Sequence, residues 1–170
     1  MLKQLQKRKS EGFTIIEVLV VLAIAGLIMV VVFLAVPALN RSGRNNGLNG
    51  SARSILAAVH AYANNNGGTP PATQTSAAPT GGAVTIGSTG NTETVKVDGN
   101  VVGFLINGSA ITATGASASP IGTMQVITGT TAVCNPTASG IAGTGSARSY
   151  VVLYVAEGSG STNLLKCVGN

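Results

Sequence analysis

The sequence predicts an α+β fold. One long N-terminal helix, membrane-spanning in its first half and amphipathic in its second, packs on a small antiparallel β-sheet head. Three observations predict it. An unbroken apolar run of 27 residues, Phe13 to Leu39, carries a single charge, Glu17. A row of apolar residues at helical spacing follows, from Leu48 to Ala63. Beyond Pro70-Pro71, short runs of β-branched and aromatic residues alternate with Gly/Ser/Thr-rich stretches.

The apolar run comes first. As a helix, Phe13–Leu39 extends about 40 Å, enough for a hydrocarbon layer of roughly 30 Å. It is apolar on every side, unlike a surface helix of a soluble domain. Lys3, Lys7, Arg8 and Lys9 precede it, and only Arg41 and Arg44 follow closely. That asymmetry puts Met1 in the cytoplasm and the bulk of the chain outside. The run is too long for the apolar region of an ordinary secretory signal, and no small-x-small cleavage site follows it. A plain membrane anchor accounts for the length but not for Glu17, since an acid within an apolar helix costs about 2.5–3.5 kcal/mol on insertion scales. Ala23, Ala25 and Gly26 interrupt the bulky aliphatics and allow close helix approach.

The residues around Glu17 carry a family resemblance. A short basic leader, Lys7-Arg8-Lys9-Ser10-Glu11-Gly12, is followed by Phe13-Thr14-Ile15-Ile16-Glu17 and the apolar helix. This string resembles the processing site of type IV prepilins, and the resemblance covers about the first 40 residues. It implies a pilin-like fold and cleavage by a membrane-embedded prepilin peptidase between Gly12 and Phe13. The same enzyme then methylates the new amino group of Phe13. It further implies a homo-oligomer, a helical filament, in which Glu17 of one subunit pairs with the Phe13 amine of a neighbour. Such a pair acts as a register device, because either charge left alone in a low-dielectric core is expensive. The alternative for Glu17 is pairing within its own subunit or with lipid headgroups.

The expected organisation is a leader over 1–12, a transmembrane and filament-core helix over 13–39, an amphipathic helix half over 40–66, and a β-rich head over 67–170. Pro37 removes a backbone donor and is expected to kink or weaken the helix. Residues 40–50 hold three glycines and four asparagines, so they read either as a loop or as helix only when packed. Leu48, Ala52, Ile55, Leu56, Val59 and Ala63 then share one face. His60 sits on its edge, without partners for catalysis or metal binding. Asn64 to Gly68 end the helix, and residues 69–82 read as a loop.

In the head, Thr92–Val97, a turn at Asp98-Gly99-Asn100, and Val101–Ile106 read as a hairpin. Thr123–Thr128 is another strand. Ser149–Val155 is the strongest and turns through residues 157–161 into Leu164–Val168. Two cysteines, Cys134 and Cys167, lie in the part placed outside the cytoplasm, which favours a disulfide over two free buried thiols. A cysteine pair near the C-terminus also looks like the disulfide-bounded region of type IV pilins.

Composition excludes several functions. Charged residues are only 9% of the chain, against roughly 25% in soluble domains. Much of the net +5 belongs to the leader: six Lys/Arg and four acids follow it. No specific nucleic-acid partner is therefore expected. There is no phosphate-binding Gly-Lys-Ser/Thr loop, so an ATPase complex that drives assembly must be separate. One His and one Asp leave no metal or catalytic set, and no cofactor is expected. Asn49-Gly50-Ser51 and Asn107-Gly108-Ser109 fit the glycosylation pattern, as chance matches do in so Asn/Ser-rich a chain.

The expected function is a structural subunit of a type IV pilus, not an enzyme. It is a single-pass precursor in the cytoplasmic membrane, in contact with lipid, and then part of an extracellular filament. Its partners are copies of itself, the prepilin peptidase, and the pilus assembly platform with its ATPase complex. The alternatives are a type II secretion pseudopilin, or a minor pilin acting in adhesion or DNA uptake. The acid-poor head argues against the calcium-holding pseudopilins.

Overall fold

The computed structural model describes residues 12–77, 79–87, 91–107, 119–130, 132–135, 145–160 and 162–169. The basic leader residues expected to precede the cleavage point lie outside this set. One helix, α1, runs from Ile15 to Asn65, and the chain falls into two units that part between Asn40 and Arg41.

The first unit is the apolar part of α1. Its large hydrophobic side chains are exposed, from Phe13 at 84% to Leu39 at 69%. By length and apolarity the helix is able to cross a membrane. The helix continues through Pro37, and residues 40–50, open between helix and loop on sequence grounds, are helical throughout.

In the second unit, the remainder of α1 packs on β-structure. Leu48, Ala52, Ile55, Val59 and Ala63 are buried, as their spacing predicts, and Leu56 is partly buried beside them. Burying Leu48, Ile55 and Val59 contributes about 1.5–3 kcal/mol each. A polar row adds register. Asn49 Nδ2 donates to the Tyr154 hydroxyl (2.9 Å), the Asp98 N–H donates to Ser51 Oγ (2.8 Å), and Asn65 Nδ2 donates to Glu93 (2.7 Å). At about 0.5–1.5 kcal/mol net per hydrogen bond, these orient what the apolar row holds. The helix ends where Asn66 and Gly68 donate back to the Tyr62 and Ala63 carbonyls.

Among the described residues seven strands follow: β1 (Gln74–Ala77), β2 (Ala83–Ile86), β3 (Glu93–Lys96), β4 (Gly103–Ile106), β5 (Thr123–Thr128), β6 (Tyr150–Glu157) and β7 (Asn163–Gly169). They form a five-stranded sheet ordered β1-β4-β5-β6-β7 and a two-stranded ribbon, β2-β3. The expected hairpin over 92–106 does not form. β3 pairs antiparallel with β2, while β4 pairs with β1 and, in parallel, with β5. The sheet is therefore mixed, not purely antiparallel. The turn at Asp98–Asn100 is real, with the Asn100 N–H donating to Asp98 Oδ1 (2.9 Å) and the Val101 N–H to the Asp98 carbonyl (3.0 Å). It hands the chain from the ribbon to the sheet instead of folding it back. β1 falls in the stretch expected to be a loop.

The expected β6–β7 hairpin does form, in register from Val151↔Gly169 to Glu157↔Asn163. β6 is buried on both faces: Val152 and Tyr154 pack toward the core under the helix, Leu153 and Val155 toward a second cluster with Leu165 and Cys167. Cys134 and Cys167 form a disulfide with Cα atoms 5.6 Å apart, an ordinary separation.

Two substitutions test this packing. Gly122 has φ +86°, and a Cβ there would lie 1.9 Å from the Asn100 carbonyl oxygen. Gly122→Ala is expected to destabilise the head by about 2–3 kcal/mol in chemical unfolding of the detergent-solubilised chain. The Tyr150 hydroxyl is buried without a hydrogen-bond partner among the described residues, and its ring stands edge-on to His60 at 4.9 Å. Tyr150→Phe keeps the ring and removes the unpaired hydroxyl, so stability is expected to hold or to rise by about 1 kcal/mol. A clear loss would show that the hydroxyl is bonded.

Candidate processing and assembly site

Gly12, Phe13 and Thr14 precede the first turn of α1 in non-helical conformation, and all three are exposed. The bond between Gly12 and Phe13 therefore lies in open chain. What fixes the helix start is Thr14. Its carbonyl accepts the first helical bond from the Val18 N–H (3.3 Å). Its hydroxyl accepts the Glu17 N–H (3.3 Å) and donates to Glu17 Oε2 (2.9 Å). Its own N–H donates to the same Oε2 (3.0 Å). Threonine before the helix and glutamate three residues later thus form a reciprocal capping box, which satisfies backbone donors that a helix start leaves open.

In the sequence Thr14 stands out only as part of the prepilin-like string, without a role of its own. The signal was present: a Thr-x-x-Glu string directly before an apolar run is a helix-start signature. Glu17 is held within its own chain, and the carboxylate's charge is met by two donors at the positive end of the helix. Both donors meet Oε2. Oε1 has no partner among the described residues and remains open to a further donor.

Phe13 stands four positions before Glu17, in the open chain just ahead of the first helical turn. A cut between Gly12 and Phe13 would create an α-amine close to this carboxylate. The structure thus brings Gly12, Phe13 and Glu17 together in one short segment, and places the Cys134–Cys167 bond in the head, in the other unit. Among the described residues, no three His, Cys, Asp or Glu side chains gather as a metal site would need.

Residues 7–33 match the family described as the prokaryotic N-terminal methylation motif, which is the type IV prepilin-type signature. No match to the chain is found among curated proteins or solved structures. The motif supports a protein of the type IV pilin and pseudopilin kind and does not extend into the head.

Proposed function

We propose that the chain is a structural subunit of a type IV pilus, made as a membrane-anchored precursor and polymerised through α1. The observation that carries this reading is the methylation motif on an apolar helix whose side chains are left wholly uncovered within the chain. Some 27 consecutive residues without a partner need either lipid or other helices around them. Lipid covers them in the precursor, and copies of the same helix cover them in the filament.

The chemistry at the N-terminus follows the capping box. In the precursor, Thr14 supplies the donors that let Glu17 sit near the membrane edge as a carboxylate. Prepilin peptidase cuts between Gly12 and Phe13, where the chain is exposed and outside the helix, and methylates the Phe13 amine, which keeps its positive charge. The free Oε1 of Glu17 then accepts the Phe13 ammonium of a neighbouring copy. In a helix-packed core of low dielectric, an unpaired charge costs several kcal/mol, so copies out of register are disfavoured. The assembly platform and its ATPase complex supply the work, and the head, residues 67–170, faces outward.

Electron microscopy of material sheared from the cell surface tests this reading. Long filaments that contain this chain are expected. Recovery only as a monomer in the membrane would overturn it.

A further inference from the structure

Asn46, Asn49, Asn66 and Asn107 each precede a glycine. Such a pair can react with itself. With no side chain to shield it, the glycine's backbone nitrogen can reach the amide carbon of the asparagine before it. The fold treats these pairs differently. Gly47 and Gly50 lie inside α1, where the helical ladder occupies their N–H groups. Gly108 lies outside the described residues. Gly67 follows the end of α1 and is exposed. The N–H groups of Asn66, Gly68 and Thr69 are all bonded, but that of Gly67 has no partner among the described residues. A Cβ on Gly67 would meet nothing within 4 Å, so solvent reaches the backbone there.

The Asn66 side chain is part of a clamp. Its Nδ2 donates to the Tyr62 carbonyl (2.8 Å) and to the Asn91 carbonyl (3.2 Å), and Asn91 Nδ2 donates back to the Asn65 carbonyl (3.3 Å). The clamp ties the end of α1 to the residues that lead into β3. Its acceptors suit an amide and not a carboxylate, which has no proton to donate and is repelled by the negative end of the helix. A cation stands close by. A Cβ on Gly68 would lie 3.3 Å from Arg148 Nη2. The Arg148 side chain meets no acceptor among the described residues.

We propose that Asn66 is a self-modifying site: with Gly67 it converts from amide to carboxylate, and the end of α1 passes from the Asn91 clamp to Arg148. The Gly67 nitrogen gives its proton to hydroxide and bonds to Asn66 Cγ. The Cγ–Nδ2 bond breaks, and Nδ2 leaves as ammonia with a proton from water. The cyclic imide then takes up one water. Opening at Cγ gives aspartate, and opening at the backbone carbonyl carbon gives isoaspartate. Either product loses both Nδ2 bonds and gains a negative charge beside the unpaired guanidinium. The change is irreversible, so an aged head differs from a new one.

Peptide mapping by mass spectrometry of the full chain, aged in detergent at mildly alkaline pH, tests the modification. Asn66 is expected to convert at least about tenfold faster than Asn46 and Asn49, where a helical bond must open first. Conversion of Asn66 no faster than theirs overturns the proposal. Urea unfolding tests the transfer to Arg148, with Asn66→Asp standing for one product. Arg148→Gln is expected to lower the folded-to-unfolded ratio about threefold more in the Asn66→Asp chain than in the wild-type chain. Equal losses in the two chains overturn the transfer.

Discussion

Glu17→Gln is expected to lower filament yield by about a hundredfold or more while leaving the start of α1 intact. Glutamine completes a capping box as glutamate does, so the bonds with Thr14 survive and only the charge is lost. The Gly12–Phe13 bond stays outside the helix, and cleavage is expected to proceed. In the proposed pairing, what disappears is the partner for the Phe13 ammonium. A buried charge deprived of its partner costs about 3–5 kcal/mol at each contact, which is enough to stop growth. The processed chain then accumulates in the membrane. Quantitative immunoblotting of sheared filaments against the membrane fraction reads this directly. Normal filament yield in Glu17→Gln would leave Glu17 as a helix cap and nothing more. Glu17→Ala is the less clean variant, because it removes box and charge together.

The second large effect lies in the head. Cys134→Ser or Cys167→Ser opens a crosslink spanning a separation of 33 residues. On the chain-entropy account that costs roughly 3.7 kcal/mol, a large part of the stability of a domain this size. Cys167 also packs beneath Leu153 and Val155, so the serine places a hydroxyl among apolar side chains. Urea unfolding under oxidising conditions is expected to show the loss, and the wild-type chain under reducing conditions to show a similar one. If neither condition lowers the midpoint, the crosslink carries no stability.

The elements with periodic apolar patterns were legible in the sequence. Leu48, Ala52, Ile55, Val59 and Ala63 state a helix face, and β6 with β7 state a hairpin. The hairpin expected over 92–106 was misread because its turn is genuine: Asp98-Gly99-Asn100 forms the bonds a turn needs. What distinguishes its two arms is burial. β3 alternates half-buried Glu93 and Val95 with exposed Thr94 and Lys96, as an edge ribbon does, whereas Gly103, Phe104 and Ile106 in β4 are buried. A near-continuous apolar run belongs inside a sheet with partners on both sides. β1 offered no signal at all, since Gln74-Thr75-Ser76-Ala77 has no apolar alternation and is ordered by β4.

Residues 40–50 were ambiguous for a related reason. Local propensity opposes helix there, and the bonds that settle the matter join Arg44 and Asn45 to Glu157, more than a hundred positions away. Single-chain periodicity cannot register a polar side chain acting as a tertiary partner. At the candidate processing site the balance is reversed. The residues concerned are local, from Gly12 to Glu17, and the family motif ends within the same apolar helix. The capping role of Thr14 is what the structure adds.

The N-terminal sequence and intact mass of the chain purified from the cell surface decide whether it is processed as a prepilin. A chain that begins at Phe13 and carries one methyl group on its α-amine is expected. A surface chain that begins at Met1, or at any residue other than Phe13, would contradict it.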